Sequence, residues 1–251
     1  MRIQIIGVGV VGEARAYLAM QLGHDVLGFD PAKSSSPYAR MVTKIQKNAD
    51  ITFVCVPEFR VDDVIGRLVQ NEIKGLYVIE STVLPGTTRG LMDKYGVHIS
   101  HNPEFLRENV ALDDVMHPSM VVIGQCCPEH GDLLKKFYLP LSCPIVITQP
   151  TTSEIVKLTL NAYLSTLISF WNEIDKMAKI GGVNTAEIAR IVRFNPRVSS
   201  YGTAFFGAPF GGKCLPKDLD HLIEYCQKIG MNPQLLDSIR DFNRKLDDNT
   251  V

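Results

Sequence analysis

Over the first 150 residues, short runs of β-branched and aliphatic residues alternate with helical patterning. RIQIIG, HDVLGFD, ADITFVCV, LYVIES, MVVIG and PIVIT have the length and composition of strands, VHIS is a shorter one, and a helical pattern sets in at about Val11. Strand and helix in alternation predict a parallel sheet with helices on both faces. After QPTTS the texture changes. From Ser153 to about Lys179 there is no Gly or Pro, and the pattern is that of one helix roughly 40 Å long. It is apolar on most of its surface, from Ile155 and Leu158 through Trp171 to Met177, so it must be covered on all sides, by its own chain or by a second subunit. Gly181 and Gly182 end it, a second helix follows at about Thr185 to Arg193, a loop rich in Gly, Ser and Phe runs to Gly212, and two more helices complete the chain. The pattern predicts an α/β protein: a doubly wound parallel sheet over residues 1–150, then an all-helical domain over residues 151–251 with one long central helix.

Length agrees, since 251 residues suffice for one large or two moderate domains. The formal net charge of −1, with basic residues dispersed, gives no footprint for nucleic acid. The six cysteines (55, 126, 127, 143, 214, 226) show no CxxC spacing and no metal set is assigned to them; with no secretory segment ahead of the first strand, they are expected to be reduced thiols in a cytoplasmic protein. The longest apolar run, Leu158 to Trp171, is interrupted by Asn161, Ser165 and Ser169, so no membrane span is expected.

GVGVVG directly follows the first strand and opens a helix, and GFD closes the second strand with Asp30. Gly7 permits a tight turn, Gly9 lets the backbone approach a pyrophosphate, and Gly12 lets helix and strand pack closely, while Val10 and Val11 begin the helix whose N-terminus attracts phosphate. Asp30 can accept the hydroxyls of an adenosine ribose and would repel a 2′-phosphate. A Rossmann-type domain that binds NAD in preference to NADP is the expectation.

Four further clusters lack an obvious packing rationale. ESTVLPGTT sets Ser81 and Thr82 at a strand end, where open α/β sheets bind ligands. NPEFLRE carries Asn102, Glu104, Arg107 and Glu108 just after VHIS. In EIVKLTLN, Lys157 and Asn161 lie four apart on one helix side and interrupt an otherwise apolar stripe. In GAPFGGKCLPKDLD, Cys214 comes just before a helix led by Pro216, with Asp218 one turn on. The unpaired N–H groups of that helix start, with Lys213 and Lys217 beside them, would stabilise a thiolate.

Together GVGVVG, STVLPGTT, NPEFLRE, EIVKLTLN and GAPFGGKCLPKD, in that order over nearly the whole chain, resemble the UDP-glucose and GDP-mannose dehydrogenase family of nucleotide-sugar 6-dehydrogenases. The resemblance implies that NAD oxidises a primary alcohol of the sugar twice, to a carboxylate, without release of the aldehyde. It implies that Cys214 holds the aldehyde as a thiohemiacetal and then a thioester, that Lys157 and Asn161 stabilise oxyanions, that Asp218 and Glu104 serve water activation and proton transfer, and that Thr82 orders the catalytic water. On the same resemblance Val56, Pro57, Ser81, Thr82 and Glu108 complete the cofactor contacts. Glu104, Phe105, Leu106, Arg107, Lys157, Asn161, Phe210 and Gly211 then contact the substrate, and Arg197 reaches the sugar site of a partner subunit across a homodimer formed through the long helix.

The chain departs from the family pattern at Glu58-Phe59 (for Thr-Pro), Asn109 (for Gly), Ser119-Met120 (for an Arg) and Lys213 (for Ser). Family members continue into a third domain that grips the nucleoside diphosphate, whereas this sequence ends at Val251, so weakened contacts to base and diphosphate are expected. Two other readings are open. A β-hydroxyacid dehydrogenase shares the nucleotide domain, the long helix and a Lys-x-x-x-Asn pair but needs no cysteine; an NAD-binding remnant would keep the site residues without turnover.

Overall fold

The computed structural model describes residues 1–248, with side chains through Leu246. The chain divides into two compact units, residues 1–157 and 158–251.

The first unit is built on β1 (Arg2–Ile6), β2 (Asp25–Phe29), β3 (Arg40–Met41), β4 (Asn48–Val54), β5 (Lys74–Ile79), β6 (Ile99–His101), β7 (Val121–Gly124) and β8 (Ile145–Thr148). They form one eight-stranded sheet in the order β3-β2-β1-β4-β5-β6-β7-β8. Its helices are α1 (Val10–Gln21), α2 (Val61–Gln70), α3 (Thr87–Tyr95), α4 (Ala111–Met116) and α5 (Pro128–Tyr138). The two-residue alternation of a strand distributes each central strand between two cores. Ile3 and Ile5, Ile51 and Phe53, and Leu76 and Val78 face one cluster with Leu18, Val115 and Leu134. Ile6, Val54, Tyr77 and Ile79 face the other, with Ile65, Leu68 and Leu91. The sheet is thus buried on both faces, as an α/β fold requires.

One joint of the sheet is not parallel. β7 runs antiparallel to β6, and only His101↔Gly124 is paired there, whereas β7 and β8 are parallel to each other. The connection between them, residues 102–120, contains the six-residue α4. β3, two residues beside β2, is an element the hydrophobic pattern did not show.

The long helix is α6 (Pro150–Ile180), of 31 residues. The compact units divide within it, at 157/158, and its first turns bond to the first unit. Ser153 Oγ lies 2.6 Å from His101 Nδ1. The Glu154 carboxylate accepts from the Gly86 N–H at 2.6 Å and from the Thr88 N–H and hydroxyl at 2.8 and 2.6 Å, satisfying donors at the start of α3. Lys157 bonds Glu104.

The second unit holds the rest of α6 with α7 (Thr185–Val192), α8 (Leu215–Lys228) and α9 (Gln234–Asp248). Its core joins Ala162, Ile168, Phe210, Leu219, Ile223 and Ile239. Along α6 the buried positions include Asn161, Ser165, Ser169, Asn172 and Asp175, while Tyr163, Phe170 and Met177 are 54, 54 and 55% exposed. The expectation that apolar residues would be covered on all sides is not met within this chain: much of the buried side of α6 is polar and an apolar stripe faces outward.

Candidate active site

The glycine turn has the geometry its sequence requires. Gly7 sits at φ +86°, and a Cβ there would lie 2.5 Å from the Cys55 carbonyl oxygen. A Cβ on Gly12 would lie 2.0 Å from the Gly7 carbonyl oxygen, so α1 and β1 approach as closely as they do only because both residues lack side chains. A Cβ on Gly9 would meet no protein atom within 4 Å, so the start of α1 faces open space. That space belongs to a cavity of about 810 Å³ lined by Gly9, Val10, Asp30, Lys33, Tyr38 and Glu108 among others. Asp30 accepts the Val8 N–H at 2.8 Å on one carboxylate oxygen and the Ala32 N–H at 2.8 Å on the other. These bonds fix its orientation, and a carboxylate has further lone pairs for ribose hydroxyls. Lys33, which the motif does not reveal, donates to the Val8 carbonyl at 2.9 Å and pairs with Glu13 at 2.7 Å. It ties the loop after β2 to the glycine turn.

At the ends of β4 and β5, the Ser81 hydroxyl donates to the carbonyl of Val56 at 2.5 Å, linking the two strand ends. Val56 and Thr82 are half-buried and Pro57 is exposed. Just before Ser81, Glu80 is buried and bonded to the Arg15 Nε at 2.6 Å, while its other oxygen accepts the Cys55 thiol at 3.0 Å. The Arg15 guanidinium also lies 5.1 and 5.0 Å from the ring centres of Phe53 and Tyr138. This network backs the nucleotide end from inside the sheet and was missed at the sequence level, because one Arg in α1 and one Glu at a strand end carry no pattern.

The NPEFLRE loop divides into roles. Asn102 is a buried brace that donates to the Val122 carbonyl at 2.8 Å and accepts the Tyr138 hydroxyl. Glu104 faces the buried Lys157, whose ammonium donates to the Glu104 carbonyl at 2.7 Å and lies 3.2 Å from its carboxylate. The ammonium is 5.5 Å from the Phe105 ring centre. Leu106 is half-buried, and its N–H is bonded to the Glu104 carboxylate at 2.6 Å. Arg107 points elsewhere, its guanidinium held by Asp114 at 2.6 and 3.0 Å. Glu108 lines the cavity over the start of α1.

His101, at the end of β6, is wholly buried between Ser153 and the Ser81 carbonyl. Burial, and secondarily the nearby Lys157 charge, push its ring from the ordinary 6.5 down to about 3. The imidazole is therefore neutral in the fold but charges below pH 6.5 in the unfolded chain, so its contribution to stability is present above pH 6.5 and is lost as pH falls toward 3. We expect His101→Gln to flatten the pH dependence by at most about 1.4 kcal/mol per pH unit. Urea midpoints of both proteins at pH 7.5, 6 and 5 would show it; parallel curves would refute it.

In the second unit Cys214 is exposed and caps the N-terminal end of α8, its carbonyl accepting the Asp218 N–H at 2.9 Å. Asp218, one turn on, is 1% exposed and accepts from the Asn161 amide at 2.5 Å. Lys217 pairs with its other oxygen at 2.6 Å. The loop leading to Cys214 is held by two buried asparagines that sequence reasoning passed over. Asn172 accepts the Gly207 N–H at 2.7 Å and donates to the Ala208 carbonyl at 2.8 Å. Asn243 does the same to Phe210, at 2.8 and 3.0 Å. Asn243 interrupts an apolar helix face, between Ile239 and Leu246, which was the available signal; Asn172 lies on a mostly polar side of α6 and gave none. Phe210, expected at the substrate, has its side chain in the core, while Gly211 is exposed. Arg197 is exposed and bonded to Asn195.

Residues 38–142 match the NAD-binding domain of the UDP-glucose/GDP-mannose dehydrogenase family, and residues 151–245 match that family's central domain. The chain belongs to this family. A UDP-glucose 6-dehydrogenase of Haloferax volcanii is 29% identical over 97% of the chain and 69% of its own length. A GDP-mannose 6-dehydrogenase of Pseudomonas savastanoi pv. phaseolicola is 30% identical over 97% of the chain and 68% of its own length. The solved structure of a UDP-glucose dehydrogenase from Pyrobaculum islandicum matches with a TM-score of 0.89 at 26% identity, covering 97% of the chain and 68% of that structure's chain. The UDP-glucose/GDP-mannose dehydrogenases are nucleotide-sugar dehydrogenases, and the chain is an NAD-dependent oxidoreductase. Its residues fit that cofactor: open space over Gly9, a glycine turn at a helix start, and an oriented Asp30 at the end of β2. Among the described residues no helix is long and apolar enough to cross a membrane.

Proposed function

We propose that this chain oxidises the primary alcohol of a nucleotide-linked sugar, UDP-glucose or a relative, to a carboxylate in two steps with Cys214 as the covalent carrier. The observation that carries the reading is the pairing of an exposed thiol at a helix start with the buried Asp218–Asn161 contact one turn away. NAD, when bound, accepts a hydride in each of the two oxidations. In the first the alcohol loses its hydroxyl proton to a base of the site. Cys214 then adds through sulfur to the aldehyde carbon, and the thiol proton ends on the solvent or the adduct oxygen. The second oxidation leaves a thioester, and water cleaves the C–S bond to free the acid and the thiol.

Oxyanion character develops on the substrate oxygen during each addition. An ammonium such as Lys157 and an amide such as Asn161 stabilise that charge where water is excluded, and both are buried. In this reading Asp218 takes a proton from the hydrolytic water, and Glu104, beside Lys157, exchanges protons with the alcohol. Thr82 would order that water, and Arg197 would contact the sugar of a partner subunit. The dimer reading draws on α6, where Leu160, Tyr163, Leu167, Phe170, Ile174 and Met177 recur at alternating intervals of three and four residues along its exposed or half-buried side. That is the spacing of a helix-pairing seam, and a second copy of the same helix is a self-complementary partner for it.

The test is stoichiometric. With NAD and UDP-glucose or GDP-mannose in separate reactions, one of the two should yield two NADH per sugar acid, with no aldehyde captured by hydroxylamine. One NADH per turnover with a free carbonyl product would instead fit a single-step alcohol dehydrogenase.

A further inference from the structure

We propose that His98, Cys126, Cys127 and His130 bind one zinc-class divalent ion in the first unit, as a structural clip across the antiparallel joint of the sheet. The residues are far apart in the chain, and no ligand motif unites them in the sequence. The fold does: one ligand atom from each, two sulfurs and two imidazole nitrogens, lies within 4.8 Å of all the others. A tetrahedral S₂N₂ shell with metal–ligand bonds of about 2.0–2.3 Å has edges of roughly 3.3–3.8 Å. The four groups therefore need only a small inward adjustment of their side chains. Cys126 Sγ and His130 Nδ1 already lie 3.1 Å apart, and the His98 and His130 rings meet edge to face at 5.3 Å.

Backbone geometry explains the convergence. Extending the antiparallel register outward from His101↔Gly124 places His98 opposite Cys127. Cys127 is the N-cap of α5 and makes no side-chain capping bond, and His130 follows in the first turn, three residues on. Two ligands thus come from the chain leaving β7, one from the chain entering β6 and one from α5. Ser100 donates its hydroxyl to Cys126 Sγ at 3.5 Å, the kind of outer partner that favours and orients a thiolate ligand. Cys126, Cys127 and His130 are half-buried and His98 is exposed, which leaves an entry path from solvent. Two sulfurs and two imidazoles select a borderline-soft ion over magnesium or calcium.

Location argues for a structural role. His98 precedes β6 and Cys126 follows the antiparallel β7, so the cluster lies at the end of the strands opposite the one where Gly7, Asp30 and Ser81 follow theirs. Four protein ligands close the coordination shell and leave no position for substrate. The joint that the ion would clip is the weakest of the sheet, with its single paired position. On binding, two S–H bonds break, two S–metal bonds form and two protons pass to solvent, with no change of oxidation state, so affinity should rise with pH.

The probe is Co²⁺ added to the reduced, chelator-treated full chain, followed by Zn²⁺. We expect one equivalent of Co²⁺ to produce thiolate-to-cobalt charge-transfer absorption and the intense visible bands of tetrahedral cobalt, both erased by Zn²⁺, and Zn²⁺ to raise Tm. Cys127→Ser and His98→Gln should each weaken binding by about tenfold or more, and Cys214→Ser should leave the bands in place. His98 is exposed, so His98→Gln tests the site without disturbing the core. Absence of the bands, their persistence in the Cys126→Ser/Cys127→Ser double variant, or their loss in Cys214→Ser would overturn the proposal. So would a Cys126–Cys127 disulfide in the untreated protein combined with no cobalt bands after its reduction.

Discussion

Replacing Cys214 by Ser is expected to lower sugar-acid formation on the order of 10⁴-fold or more, the scale of losing a covalent nucleophile. A hydroxyl in place of the thiol is far less nucleophilic, so the aldehyde of the first oxidation is no longer held and the second oxidation loses its substrate. The variant should therefore release aldehyde that hydroxylamine captures, with at most one NADH per sugar, and its folding should be unchanged because residue 214 is exposed. Preference for this thiol over Cys55, Cys143 and Cys226 follows from their surroundings. Cys226 is buried in the helical unit. Burial first, and the neighbouring Glu80 charge second, push the Cys55 thiol well above its ordinary value, and burial also raises Cys143. Cys214 stands at a helix start, where orphan N–H groups favour a sulfur anion. Iodoacetamide at neutral pH should accordingly modify Cys214 ahead of Cys55, Cys143 and Cys226. Acid production that survives Cys214→Ser would eliminate the thioester route.

A comparably large effect on stability is expected from Glu80→Ala. Removing this carboxylate leaves the Arg15 guanidinium charged and buried, with side-chain exposures of 7% for Arg15 and 0% for Glu80 in the native pair. Breaking one side of such a pair costs about 3–5 kcal/mol, because the remaining ion has neither water nor counter-charge. For a chain of this size that corresponds to a fall in Tm of roughly 10 °C. The pair spans α1, which follows the glycine turn, and the end of β5, which precedes Ser81, so NAD affinity should fall with stability. Replacing both partners, Arg15→Met with Glu80→Leu, should restore most of the loss, since apolar side chains of similar volume need no counter-charge. Urea denaturation of the two variants checks both halves; a Glu80→Ala midpoint within error of the unsubstituted protein would show that water or Cys55 compensates Arg15.

Local chemistry was legible from the residues alone. The strands of the sheet domain have the length and β-branched content that backbone sterics favour, and Gly7 and Gly12 occupy positions where a side chain would collide with backbone. The same holds for the start of α8, since Pro216 and the unpaired N–H groups of a helix terminus are local facts. Hydrophobic periodicity also changes at the start of α6, where strand-like runs give way to helical ones. Long-range pairing was not legible. The reversal of β7 against β6 and the pairing of β3 with β2 are long-range contacts that no local pattern carries. Apolar composition alone could not show that α6 buries Asn161, Ser165, Asn172 and Asp175 while turning Tyr163, Phe170 and Met177 outward, since burial of a polar residue is decided by the partner it finds. The same principle holds Lys157 against Glu104 and Arg15 against Glu80, while the fold brings the exposed His98 beside Cys126 and Cys127. Sequence by itself determined the fold class, the glycine turn and the thiol at a helix start. Tertiary structure alone decided which polar groups meet, because those meetings join residues tens of positions apart whose attraction exists only after the chain has closed.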